Sequence, residues 1–378
     1  MSPRSAQPTV LIAGGGTAGH LIPGLAVADA LVRSGVPSAN IRFVGSRRGV
    51  EVDMVPGAGF ELLALPGRGL NERRVNLANL VAVLALLWGI LRGICTVVAR
   101  RPSVVLSLGG YAALPGSIGA VLTRVPLVVA EQNAVPSATN RLVGRFASAC
   151  AVPFEGVDLP RSVVTGNPVR RSVVEVAQSP SAVSAPWEPG RFAVVIFGGS
   201  LCSLRINTAV WEAMPELARR GDVVVYHVVG RRDWPEQPSL GVDAAAYRAV
   251  PYDDDLPVAL AQADLVVSRA GGSTVAELAV LGVASVLIPL PIAPNDHQRH
   301  NAAALEAVGA ARVVDDADFD GQRLIREIDR AVADGVATAG DAARSVGRPD
   351  AADSVAQLVV ARARKGRASS PTTSGDRP

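Results

Sequence analysis

Gly14, Gly16 and Gly19 stand at G-x-G-x-x-G spacing directly after the β-branched run at residues 9–13. A loop of this kind turns tightly and brings backbone N–H groups against an anion. His20 follows the last glycine, where its imidazole projects from the start of the next helix. The positive end of a helix disfavours a cation, so a neutral ring able to take a proton is expected there. That is a general base's position; a histidine capping the helix or packed in an interface is the other reading of the same residue. A nicotinamide dinucleotide calls for an acid at the end of the second strand, but the chain reads Val44-Gly45-Ser46-Arg47-Arg48 there, which argues against hydride transfer.

The elements that must carry these residues repeat. Strand, glycine loop and helix recur at residues 104–108 with Gly109 and Gly110, at 193–197 with Gly198 and Gly199, and at 265–267 with Gly271 and Gly272. Shorter strands are expected at residues 41–44, 127–130, 162–164, 223–228 and 285–288, and a helix at 21–32. The pattern predicts a duplicated α/β chain of two parallel-sheet halves facing each other. The expected boundaries are residues 1–166, 167–364 with a last helix free to return to the first half, and a disordered tail at 365–378.

Across these units runs a set of motifs in fixed order. They are Gly15-Gly16-Thr17-Ala18-Gly19-His20; Gly109-Gly110-Tyr111 with Pro115; Glu131-Gln132-Asn133; Gly166-Asn167-Pro168-Val169-Arg170; Gly198-Gly199-Ser200; Ser268-Arg269-Ala270-Gly271 with Glu277; and Asp296-His297-Gln298 with Asn301-Ala302. Together they closely resemble the MurG family of peptidoglycan glycosyltransferases, over roughly residues 9 to 345. The resemblance implies a GT-B fold, two Rossmann-like domains across a cleft. It also implies inverting transfer of N-acetylglucosamine from UDP-GlcNAc to the 4-hydroxyl of the muramoyl-pentapeptide on undecaprenyl pyrophosphate, with no cofactor or metal.

By motif position, His20 is then the base, with Thr17 and Asn133 beside it on the donor side. Arg170 and Ser200 would meet the diphosphate, Glu277 the ribose hydroxyls and Gln298 the sugar. Gly15, Gly16, Gly19, Gly109, Gly110 and Tyr111 would form the acceptor and phosphate loops. A carboxylate accepting two vicinal hydroxyls is the usual device for a ribose. One departure stands out: Leu201-Cys202-Ser203 follows Ser200, and Cys202 adds a side chain where the family has glycine. Two other readings stay open, a UDP-sugar 2-epimerase on the same architecture and a weakly active or non-catalytic lipid-binding paralogue.

Composition narrows the partners. Of 378 residues, 49% are hydrophobic and 19% charged, so a largely disordered chain is excluded. Thirty-seven Lys+Arg against 34 Asp+Glu leave a net charge of +3, and aromatics are 4%, so no nucleic acid is expected. The three cysteines are widely spaced and suggest neither disulfides nor zinc; with no apolar leader before residue 9, the cytoplasm is expected. Asp253-Asp254-Asp255 reads as a helix start rather than a metal-binding D-x-D, and Asp296, His297 and His300 lack a third partner type for a metal. Leu80, Leu84, Leu87, Trp88 and Leu91 lie in an uncharged run of residues 80–91, about 18 Å as a helix, too short to span a bilayer. Flanked by Arg73, Arg74, Arg92, Arg100 and Arg101, it suits docking on the anionic cytoplasmic face of a membrane; a buried core helix is the alternative.

Overall fold

The computed structural model describes residues 7–66, 77–199 and 202–364. The expected tail at 365–378 lies outside them. Seven strands, β1 (Val10–Ala13), β2 (Ile41–Ser46), β3 (Glu61–Leu65), β4 (Val104–Ser107), β5 (Leu127–Ala130), β6 (Ala149–Val152) and β7 (Ser162–Val164), pair in parallel in the order β3-β2-β1-β4-β5-β6-β7. Six more, β8 (Phe192–Phe197), β9 (Val223–Val228), β10 (Tyr247–Val250), β11 (Leu265–Ser268), β12 (Ser285–Leu287) and β13 (Ala311–Val313), form a second parallel sheet, β10-β9-β8-β11-β12-β13. Helices cover both faces of each sheet, which is why β1, β4, β8 and β11 are buried at almost every position.

The strand order reverses between β1 and β4 in the first sheet and between β8 and β11 in the second. Ligands of open parallel sheets bind at the carboxyl ends of strands flanking such a reversal. All four glycine loops read from the sequence leave those four strands. The first helix, Ala18–Arg33, begins three residues before the expected start, so Gly19 and His20 belong to its first turn. Thr17 is extended and its carbonyl accepts the N–H of His20 and of Leu21, which lets the helix form that early.

The chain passes to the second sheet between Val164 and Arg171. The final helix, Ala351–Arg362, returns and buries Val355 and Val359 among Val10, Leu106 and Val128 of the first core. Beneath the second sheet's helices, His227 is fully buried; its Nδ1 lies 2.9 Å from the Tyr247 hydroxyl and its Nε2 donates to Asn207 Oδ1 at 3.0 Å. Burial pushes its pKa down to about 3.

A buried base of this kind binds its proton only in the unfolded chain, so stability attributable to His227 is full above the unfolded value near 6.5. It falls by about 1.4 kcal/mol per pH unit as acidity increases toward pH 3. Urea unfolding of His227→Gln should show a shallower loss of stability between pH 6.5 and 4 than the parent. Parallel slopes would place the acid sensitivity elsewhere.

Candidate active site

In the first domain, Thr17 and His20 sit on adjoining turns, with Thr17 Oγ1 2.9 Å from His20 Nδ1. The second glycine loop closes over them. Gly109 and Gly110 both have positive φ, +83° and +71°, and a Cβ on Gly110 would lie 3.8 Å from the His20 ring. Tyr111 stands against Gly16, where an added Cβ would come 3.1 Å from its ring. Glu131, buried after β5, accepts from the N–H groups of Gln132, Asn133 and Ser137 and from the side-chain amides of Asn133 and Asn140. Five donors on one carboxylate fix the loop that carries Asn133.

The second domain reaches this cluster directly. Asn301, fully buried, donates through Nδ2 to Asn133 Oδ1 at 3.0 Å and accepts from Ala134 N–H at 2.8 Å. Ser273 Oγ lies 3.4 Å from the Gly19 carbonyl oxygen. Gly272, the first residue of the helix Gly272–Leu281, packs so close that a Cβ would fall 2.2 Å from the Gln132 carbonyl oxygen. His20 therefore lies where the two domains meet, half-buried at the mouth of the gap.

Desolvation in that gap holds the His20 imidazole below its ordinary pKa of 6.5. The Glu131 carboxylate opposes this, and His297 from the other domain reinforces it. This environment favours the neutral ring at pH 7, through burial rather than through the helix end.

On the second domain, Arg170 and Glu277 form a forked ion pair, Nε to Oε1 at 3.0 Å and Nη2 to Oε2 at 3.2 Å. The two residues read from the sequence as diphosphate and ribose contacts are here partners of each other. Gln298 accepts from Leu290 N–H at 3.0 Å through Oε1, which ties the loop after β12 to the helix His297–Glu306. Ser200 lies outside the described residues. Cys202 takes a left-handed φ of +59°, which favours glycine, and its sulfur packs onto Gly230, where a Cβ would come 2.0 Å from it. The thiol is accommodated by a hollow on the neighbouring loop.

Asp253 accepts from the Tyr226 hydroxyl and from Asp255 N–H, and Asp255 precedes the helix Leu256–Ala261 without a side-chain cap. His297 and His300 each meet a backbone carbonyl. Among the described residues no three His, Cys, Asp or Glu side chains converge as metal ligands.

The apolar run extends further than expected: the helix is Leu77–Arg100 and continues through Arg92. Its inner face is tight, since Cβ atoms on Gly89 and Gly93 would meet the carbonyl oxygens of Pro66 and Pro115 at 2.3 Å. Leu87, Trp88 and Leu91 on the other face are 57%, 53% and 49% exposed. The side chains of Leu80 and Leu84 fall outside the described residues. No described helix is long and apolar enough to cross a membrane.

The sequence motifs include Glu131, Gly272 and Asn301 without assigning them a role between the domains, and they do not include Glu51 or Ser273. The glycine and small-residue cluster at 271–273 was the available signal for close domain approach.

Two parallel sheets whose glycine loops face each other at their switch points define the GT-B fold. Residues 10–152 match the glycosyltransferase family 28 N-terminal domain and residues 193–355 its C-terminal domain. A UDP-N-acetylglucosamine–N-acetylmuramyl-(pentapeptide) pyrophosphoryl-undecaprenol N-acetylglucosamine transferase of Alkalilimnicola ehrlichii is 40% identical, covering 94% of this chain and 99% of that one. The same-named protein of Nitrosococcus oceani is 37% identical over 92% and 97%. The crystal structure of Acinetobacter baumannii MurG superposes with a TM-score of 0.74 at 25% identity, covering 94% and 99%. The chain belongs to the MurG family of glycosyltransferase family 28.

With His20 as the base, its neutral ring is the working form, and the acidic limb of kcat/KM, which reports the free enzyme, should lie below pH 6.5. A pH–rate profile with its acidic limb at or above 6.5 contradicts this environment.

Proposed function

We propose that His20 is the general base of an inverting transfer of N-acetylglucosamine from UDP-GlcNAc to the 4-hydroxyl of the lipid-linked muramoyl-pentapeptide, forming lipid II. The observation that carries this reading is the Thr17–His20 pair at the meeting line of the two domains. With its Nδ1 proton donated to the Thr17 hydroxyl, the ring presents the Nε2 lone pair to the acceptor hydroxyl. The deprotonated oxygen attacks the anomeric carbon from the face opposite UDP, so an α-linked sugar becomes β-linked and no covalent intermediate forms.

The leaving diphosphate is received by the loop at Gly198 and Gly199 ahead of the helix Leu204–Arg220, whose N-terminal N–H groups stabilise negative charge without a metal. Arg170 serves this diphosphate and Glu277 the ribose once the donor enters and their mutual ion pair rearranges. Gln298, its oxygen committed to Leu290, offers its amide NH2 to the sugar. The closeness to transferases at 37–40% identity favours this chemistry over 2-epimerisation.

The protein docks on an anionic membrane surface beside the lipid-linked acceptor through Leu87, Trp88 and Leu91, with Arg92, Arg100 and Arg101 on the same helix and at its end. The Gly89 and Gly93 face packs inward, so one helix serves both as core and as docking surface.

In a UDP-release assay with a short-chain acceptor analogue, His20→Ala should lower turnover by roughly 10²- to 10⁴-fold with UDP affinity little changed. Turnover within a few-fold of the parent removes His20 as the base. Leu87→Glu combined with Trp88→Glu should weaken cosedimentation with anionic vesicles while leaving turnover of a soluble acceptor intact. Undiminished vesicle binding would discard the patch.

A further inference from the structure

The first glycine loop already holds an anion, and it belongs to the protein. Glu51 opens the short helix Glu51–Gly57 after β2 and is fully buried. Its Oε2 accepts from Gly16 N–H at 2.8 Å and its Oε1 from Ser46 N–H at 2.7 Å. Glycine surrounds the carboxylate: a Cβ on Gly15, Gly45 or Gly49 would approach its atoms to 2.4, 3.0 and 2.0 Å. No cation pairs with it among the described residues.

The arrangement is a nest-like anion pocket made by two amides from separate loops and filled from within. Buried negative charge is tolerable only when its hydrogen bonds are satisfied, and here two backbone amides supply them. Gly16 immediately precedes Thr17, so the bond from Gly16 N–H to Glu51 sets the entry of the helix that carries Thr17 and His20.

We propose that Glu51 is a positioning residue. Its carboxylate takes the place a substrate phosphate would occupy in the G-x-G-x-x-G loop and locks the backbone that aims the Thr17–His20 pair. The first loop thus orients the base. This rests on the reading of His20 given above.

The test is chemical rescue of the full-length enzyme. Glu51→Ala should lower kcat by about tenfold or more, with UDP affinity within about twofold of the parent. Sodium formate at about 50 mM, against sodium chloride at equal ionic strength, should re-enter the vacated nest and restore turnover several-fold. Formate should leave His20→Ala unchanged. Turnover of Glu51→Ala near the parent's, a fall in UDP affinity parallel to kcat, or restoration no greater than with chloride would each overturn the proposal.

Should Glu51→Ala not fold, Glu51→Gln keeps the volume but turns an NH2 toward one of the two amides. It should lower kcat while the donor KM stays constant, and an unchanged kcat overturns the proposal. A fully active His20→Ala would instead remove the base reading itself, whereas an inactive His20→Ala beside an active Glu51→Ala refutes the role of Glu51 alone.

Discussion

The site depends on the seam between the domains, where the start of one helix is pressed against the carbonyl end of a strand loop on the other side. Gly272 approaches the Gln132 carbonyl so closely that no side chain fits, and Asn301 completes the seam by satisfying Asn133 and Ala134. Buried amides left unpaired are costly, so Asn301 makes the close arrangement both specific and favourable. Were that approach looser, His20 would face water, and the desolvation that keeps its ring neutral would vanish.

Around the seam, charge is arranged to act on a single proton. Glu131 spends its hydrogen-bonding capacity on its own loop and lends His20 only a modest pull toward protonation, while burial and His297 pull the other way. On the donor side Arg170 and Glu277 neutralise each other. Partly desolvated charges of opposite sign attract strongly enough to stay ordered, and the forked geometry fixes both groups. The pair thus keeps both groups oriented before any substrate arrives.

The helix Leu77–Arg100 shows a separate economy. Glycine at 89 and 93 lets backbone pack on backbone, so the helix is anchored with little side-chain volume, and its large apolar residues are left for the outside. A sequence window counts only how apolar such a helix is; which of its faces is covered depends on the neighbour it meets.

The sequence by itself determined the alternation of strand, glycine loop and helix, the two-domain architecture and the order of the motifs, because strand runs and glycine turns are local signals. It was less able to place β3, β6, β10 and β13, short runs whose composition does not separate strand from helix core. Only the tertiary structure decided that Asn301 meets Asn133 across 168 residues, that Arg170 pairs with Glu277 across 107, and that Glu51 fills the first loop from 35 residues away. Such partners are chosen by how sheets and domains pack against one another. No acid stands at the end of β2, yet Glu51, a turn later, is brought back to the first glycine loop by the fold.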